Sequence, residues 1–128
     1  MATTEQASNK KTAQEFLRLV TAGHVRQAYD NHVAPTFKHH NPYFPQGAEP
    51  LRAGMEANEK EAPNKVFEMR RAIAEDDLVA VHSSLLMKAN GPAMAVVHIF
   101  RFVRGQIVEL WDIGQLAPVE SPNSDGMF

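Results

Sequence analysis

The chain has 128 residues, 44% of them hydrophobic, with 13 Lys and Arg against 15 Asp and Glu and no cysteine. This is enough for one domain with one core, and it excludes disulfides, thiolate metal sites and cysteine nucleophiles. A formal charge of −2 with neither sign gathered into a block provides no footprint for nucleic acid or an anionic membrane surface, so the expected partner is a small molecule or another copy of the chain.

In chain order, Ala13, Phe16, Leu17 and Val20 fall at helical spacing between Ser8 and Ala22, and Gly23 supplies a left-handed stop. The spacing predicts a first helix there. Val25, Ala28, Tyr29 and His32 predict a second, ending before Pro35, which disfavours helical geometry in the residue preceding it. From Thr36 to Phe44, Phe37, His39 and Asn41 alternate with Lys38 and His40 before Pro42, Pro45 and Gly47 interrupt, so a short strand entering a loop is expected. Pro50 suits a first helical position, and Leu51, Gly54, Met55 and Asn58 form the stripe of a third helix that stops before Pro63.

After Asn64 the pattern changes to period two. It predicts strands over residues 66–74, 78–88, 93–103 and 106–115, separated by turn residues at Glu75-Asp76-Asp77, Asn90-Gly91-Pro92 and Arg104-Gly105. Connections this short join antiparallel neighbours. The expected fold class is α+β, with the helices on one face of a curved sheet. Residues 1–117 would form the single domain, and residues 118–128, rich in Pro, Ser, Asn and Asp, a tail that is flexible or wraps a neighbouring subunit. Ala95, Val97 and Ile99 point to one side of their strand, and Val96, Phe100 and Phe102 to the other. Both sides are apolar and the helices can cover only one, so a homodimer packed through the sheet is expected. No apolar run approaches the roughly 20 residues of a bilayer span, and the N-terminus lacks a basic-then-apolar leader, so no membrane partner and a cytoplasmic location are expected.

Two of these strands each hold an ionisable residue among apolar neighbours: His98 in the run Val96–Phe102 and Asp112 in the run Ile107–Ile113. Either would be costly to desolvate unless paired or hydrogen-bonded. Strict alternation puts Asp112 with Val108 and Leu110, opposite Glu109 and Trp111, and puts His98 with Val96, Phe100 and Phe102. His82, between Ala80 and Ser84, is the residue the next strand can add. A carboxylate and an imidazole together can exchange a proton near neutral pH. This equips a site to remove a proton next to a carbonyl, provided a donor faces the developing enolate oxygen. His40, Asn41 and Tyr43 are candidates for that donor or for the pocket mouth, and Phe16 and Phe100 for its apolar walls. The plainer alternatives are that His82 and His98 are hydrogen-bonded core residues, that Asp112 bonds backbone at a strand end, and that Trp111 belongs to the subunit contact. His40, His82, His98 and Asp112 are chemically suited to a metal, yet no HxH or HExxH spacing groups them. Neither a Gly-rich phosphate loop nor a Gly-x-Ser-x-Gly elbow occurs. No metal and no cofactor are expected.

The strand end His40-Asn41-Pro42, the segment Ala93–Arg101 and the Gly-x-Ile-Val-Glu-x-Trp-Asp string of residues 105–112 together resemble the SnoaL-like polyketide cyclase family, of the nuclear transport factor 2-like superfamily, over roughly residues 9–117. The resemblance implies a cone-shaped fold, with three N-terminal helices on a strongly curved, mainly antiparallel sheet around an apolar cavity, commonly dimeric and without a cofactor. It also implies that Asp112 matches the cavity Asp that serves as general acid/base in an intramolecular aldol closure. His40 matches the His that the family's His-Asn-Pro element sets near the mouth. Members often carry Asp where this chain has His98, which replaces a second acid by a base able to tune Asp112 or to protonate a substrate oxygen. The expected function is cofactor-independent acid/base catalysis on a small apolar carbonyl compound, by aldol condensation, cyclisation or enolisation. The alternatives are a non-catalytic ligand-binding module using the same cavity, and an epoxide-type hydrolase relying on Arg70 or Arg101, although Arg101 falls on the face opposite His98.

Overall fold

The computed structural model describes residues 2–128. Helix α1 (Thr4–Thr21) begins earlier than its apolar stripe because Thr3 and Gln6 form a capping box: the Gln6 N–H donates to Thr3 Oγ1, and the Thr3 N–H donates to Gln6 Oε1. Gly23, at φ +88, turns the chain into α2 (Val25–His32). Strand β1 (Val33–His39) follows at once and contains Pro35. The ring is tolerated because β1 lies at the sheet edge, where a missing N–H costs no ladder bond. Helix α3 (Ala48–Glu61) starts after Gly47, with Pro50 in its first turn.

Strands β2 (Val66–Glu75), β3 (Leu78–Leu86), β4 (Ala93–Val103) and β5 (Gln106–Leu116) form the expected antiparallel meander. Between the last two, Arg104 and Gly105 take the paired positive φ of a tight hairpin. The sheet order is β1-β5-β4-β3-β2, with β1 joined parallel to β5. The parallel contact needs a long crossover, which α3 and β2–β4 supply, so local pattern could not reveal it. The result is the expected α+β architecture, three helices on one face of a curved, open, mixed sheet.

Alternation along β5 is broken once. Arg101 faces Glu109 but Phe102 faces Ile107, so Val108 is the extra residue of a bulge. Ile107 therefore joins Leu110 in the core, and Val108 does not share that face as strict alternation required. Phe16 and Phe100, expected to touch a ligand, are fully buried core residues instead. The Phe16 ring packs on Tyr29 at 5.5 Å and edge-on against Phe100 at 5.8 Å, an arrangement that favours aromatic pairs beyond area burial alone.

The opposite face of the sheet carries Ile73 and Ile113, both more than half exposed, beside the partly buried Val97, Ile99 and Trp111. The tail returns to this side, where the Phe128 ring lies 6.2 Å from the His82 ring and 4.9 Å from the Arg70 guanidinium carbon. Among the described residues no helix is long and apolar enough to cross a membrane.

Replacing Phe16 by Ala removes a large buried ring from between α1, α2 and β4. It is expected to lower unfolding free energy by about 3–5 kcal/mol, measured by urea denaturation at constant m-value.

Candidate active site

The polar core of the site is built by three strands. His98 on β4 lies directly across from Asp112 on β5, with Nε2 and Oδ1 3.5 Å apart. That is longer than a normal hydrogen bond, so this carboxylate oxygen is only loosely held. The second oxygen is held firmly: Asn41 Nδ2 donates to Asp112 Oδ2 at 3.0 Å. The orientation of the Asn41 amide follows from its other end, because Oδ1 accepts the Tyr43 N–H at 3.0 Å. The loop behind it is pinned in turn. The Asn41 N–H donates to His39 Nδ1 at 3.1 Å, so the ring proton sits on Nε2 and is donated to the Pro45 carbonyl at 2.8 Å.

Asn41, His98 and Asp112 all line a partly open cavity of about 260 Å³ between α1, α3 and the sheet. Its walls are mainly apolar, including Leu17, Val20, Met55, Phe67 and Val96, and the partly exposed Phe44 belongs to its lining. Phe44 can lie flat on α3 because residue 54 is Gly, where a Cβ would stand 2.3 Å from the ring.

Burial holds His98 below the ordinary imidazole range, and the negative charge of Asp112 opposes this only in part. His98 is therefore neutral at pH 7. Its Nδ1 and the Oγ of Ser83, on neighbouring strands of the same face, are buried with no hydrogen-bond partner among the described residues. Orphaned polar atoms are uncommon in folded interiors, and these two lie on the cavity side of the sheet. Nearby, Tyr29 donates its hydroxyl to Met55 Sδ at 3.4 Å. Burial raises the pKa of this phenol strongly despite the opposing charge of Arg52, so it stays protonated.

The other predicted site residues lie elsewhere. His40, expected near the mouth, points to the outer face: its Nε2 meets Glu109 Oε2 at 2.6 Å and its ring stacks on Trp111 at 5.0 Å. The reason is that the chain just past β1 keeps its alternation, the His40 N–H still bonding the Leu110 carbonyl, so His40 follows Lys38 outward and Asn41 takes the inward position. Tyr43 is 87% exposed and contributes backbone rather than its phenol. His82 pairs with Val97 on the outer face and contacts Arg71, because Val81 and Ser83 hold the inward positions of β3. His40, His82, His98 and Asp112 are thus divided between two faces and form no common ligand set. Arg70 and Arg101 lie outside the cavity, bonded to Ser84 and Glu109 respectively.

Glu109 was not anticipated. Its side chain is 9% exposed and gathers His40, Arg101 at 2.9 Å and Lys38 at 3.8 Å on the outer face. Burial would raise its pKa, but the hydrogen bonds from His40 and Arg101, with the charge of Lys38, reverse the shift and leave it lowered. The only sequence signal for this cluster was a charge set among apolar residues in the 105–112 string. Asn58, Glu59 and Lys65, which also line the cavity, had no signal beyond the helical stripe containing Asn58.

The sequence matches the model of the SnoaL-like domain over residues 13–110. The chain belongs to the SnoaL-like domain family. The matched segment includes Asn41 and His98 and ends before Asp112. No curated protein matches the sequence. Among solved structures, this SnoaL-like chain resembles AclR from Streptomyces galilaeus, described as a candidate hydroxylase, with 21% identity and a TM-score of 0.72, covering 89% of this chain and 83% of that one. A candidate SnoaL-like polyketide cyclase from Jannaschia sp. CCS1 gives 20% identity and a TM-score of 0.72, over 89% and 90% of the two chains. An NTF2-like protein of unknown function from Cytophaga hutchinsonii gives 16% and 0.67, over 84% and 89%. At these identities the likeness shows the fold. A hydroxylase and a cyclase description on equally similar structures leaves the reaction to the side chains.

Two pH windows follow from the site. With His98 lowered from its ordinary 6.5, only the unfolded chain takes up that proton as pH drops through about 6.5, so stability declines from there downward. Glu109, lowered from 4.5, adds stability that is present above about 4.5 and lost as pH falls through its folded value. The melting temperature is expected to fall between about pH 7 and pH 5 and more steeply below. In His98→Gln the first segment should flatten while the second persists, as read by calorimetry across pH.

Proposed function

We propose that this SnoaL-like protein is an acid/base enzyme acting without a cofactor on a small, largely apolar carbonyl compound, by enolisation leading to aldol condensation or cyclisation. The observation that carries this reading is the Asp112 carboxylate: one oxygen is fixed by Asn41, and the other is loosely held beside a neutral His98, inside an apolar cavity. The free oxygen removes the proton α to the carbonyl, and the electron pair of the C–H bond moves onto the carbonyl oxygen as the enolate forms. The His98 Nε2–H is positioned to donate to that oxygen. Attack of the enolate carbon on a second carbonyl forms the new C–C bond, and the proton held by Asp112 passes to the alkoxide.

A hydrolase that activates water between acids and an Arg finds less support, since neither Arg70 nor Arg101 lines the cavity. Asp112→Asn keeps the shape and the bond to Asn41 while removing the proton acceptor. It is expected to reduce α-proton exchange of a ketone in deuterated water by about 10²–10⁴-fold without unfolding the chain. Exchange undiminished in the folded variant would refute the role of Asp112. Ligand binding with no exchange in the wild type would identify a binding module instead.

We also propose that two copies pack through the outer sheet face. The exposed Ile73 and Ile113, flanking Val97, Ile99 and Trp111, support this reading, because apolar side chains contiguous on one face gain by mutual burial. Light scattering should give a dimer mass for the wild type and a monomer mass for Ile113→Glu. A monomeric wild type at micromolar concentration would overturn the dimer.

A further inference from the structure

The cavity has a second polar end that the reaction above does not use. Lys65, just before β2, donates from Nζ to Asn58 Oδ1 at 2.7 Å and forms an ion pair with Glu59 Oε2. The Lys65 side chain is 5% exposed and that of Glu59 11%, and both line the cavity with Asp112. Burying an ion pair is costly, and hydrophobic replacements often serve stability as well, so placing one on a cavity wall calls for a use. Asn58 and Glu59 occupy two of the three Lys65 donors, and Glu59 Oε1 has no partner among the described residues. One donor of Lys65 and one oxygen of Glu59 are therefore left without a partner among the described residues.

We propose that the Lys65–Glu59 pair is a recognition site for a hydroxyl group on the end of the substrate remote from Asp112, so that the cavity selects a neutral, hydroxyl-bearing carbonyl compound. A hydroxyl alone among common oxygen groups both accepts from an ammonium and donates to a carboxylate; a ketone or ether only accepts. Charge points the same way. Two carboxylates, Asp112 and Glu59, face the cavity against one ammonium, and His98 is neutral, so an anionic ligand meets net repulsion in a low-dielectric space. Lys65 precedes β2 and Asp112 lies on β5, with β3 and β4 between them in the sheet, so a ligand that meets both polar groups is elongated. Phe67 lies two residues beyond Lys65, its ring centroid is 6.4 Å from that of His98, and it belongs with Leu85, Met94 and Val96 to the apolar lining of the same cavity.

This inference rests on the carbonyl being bound at Asp112, and it deepens that reading by naming the substrate class. The test uses the full chain and three probes: 1-tetralone, 6-hydroxy-1-tetralone, and the 6-carboxylate of 1-tetralone. Titration calorimetry is run at mildly acid pH, where the phenol stays protonated. The hydroxy ketone is expected to bind about ten-fold or more tightly than the parent, and the carboxylate more weakly than either. Lys65→Met should abolish the preference. Because that change leaves Glu59 unpaired and can impair folding, the double variant Lys65→Met, Glu59→Gln removes both charges together and should remain folded while treating the two neutral ketones alike. Equal wild-type affinity for the neutral ketones, tighter binding of the carboxylate, no binding of the hydroxy ketone at millimolar concentration, or a preference that survives in the folded double variant would each overturn the proposal. Asp112→Asn should keep the hydroxyl preference. In the wild type, a hydroxyl preference without any α-proton exchange would sink the acid/base reading and leave this one standing.

Discussion

A sheet with two apolar faces has no neutral place for a charge, and this constraint organises the polar side chains of the molecule. Every ionisable residue on the central strands must find partners on the face to which alternation assigns it. Inside, Asp112 finds Asn41 and His98. Outside, Glu109 finds His40, Arg101 and Lys38. The two clusters lie back to back across β5, three residues apart in sequence, and share no side chain. One is dense with charge-assisted hydrogen bonds of the kind that stabilise. The other is sparse, with a long His98–Asp112 separation and orphaned polar atoms beside it.

That contrast separates a fully engaged network from a loosely held one, and the proposed acid/base role draws on the second. Glu109 has its carboxylate fully engaged and its pKa lowered, which makes it a poor proton acceptor. Asp112 keeps one oxygen loosely held towards a cavity, while the loop carrying Asn41 is fastened by His39 and by its own Asx turn. A rigid support behind a loosely held reactive atom is what proton transfer demands, because geometry is set in advance while the atom stays free to react. His98 completes the arrangement as a neutral donor that adds no charge to the cavity.

The fold is shared among proteins whose descriptions include a hydroxylase and a polyketide cyclase, so the scaffold supplies a cavity and the lining supplies the chemistry. In this chain the lining has two polar ends and an apolar middle. His98 is neutral, and this keeps the interior less negative than a second carboxylate there would. The Lys65–Glu59 pair, beside the start of β2, makes the cavity asymmetric, and in the proposed binding mode it gives a ligand one orientation in which both ends are satisfied.

Much was legible without the structure. Periodicity and turn residues marked three helices and four strands, since helix and strand patterns depend only on neighbours in the chain. The Gly-x-Ile-Val-Glu-x-Trp-Asp string pointed to the family, and parity along β4 and β5 placed His98 and Asp112 on one side. Parity also held the information that His40 and Asn41 diverge, yet the residue whose type promised chemistry, His40, went outward and the amide went inward. Tertiary structure alone decided the parallel docking of β1 on β5, the bulge at Val108 that sends Ile107 into the core, the burial of Phe16 and Phe100 away from the cavity, and the meeting of α3 with the start of β2 that joins Glu59 to Lys65. Each depends on residues far apart in the chain approaching one another, and the packing that decides such approaches leaves no periodic trace in the amino-acid order.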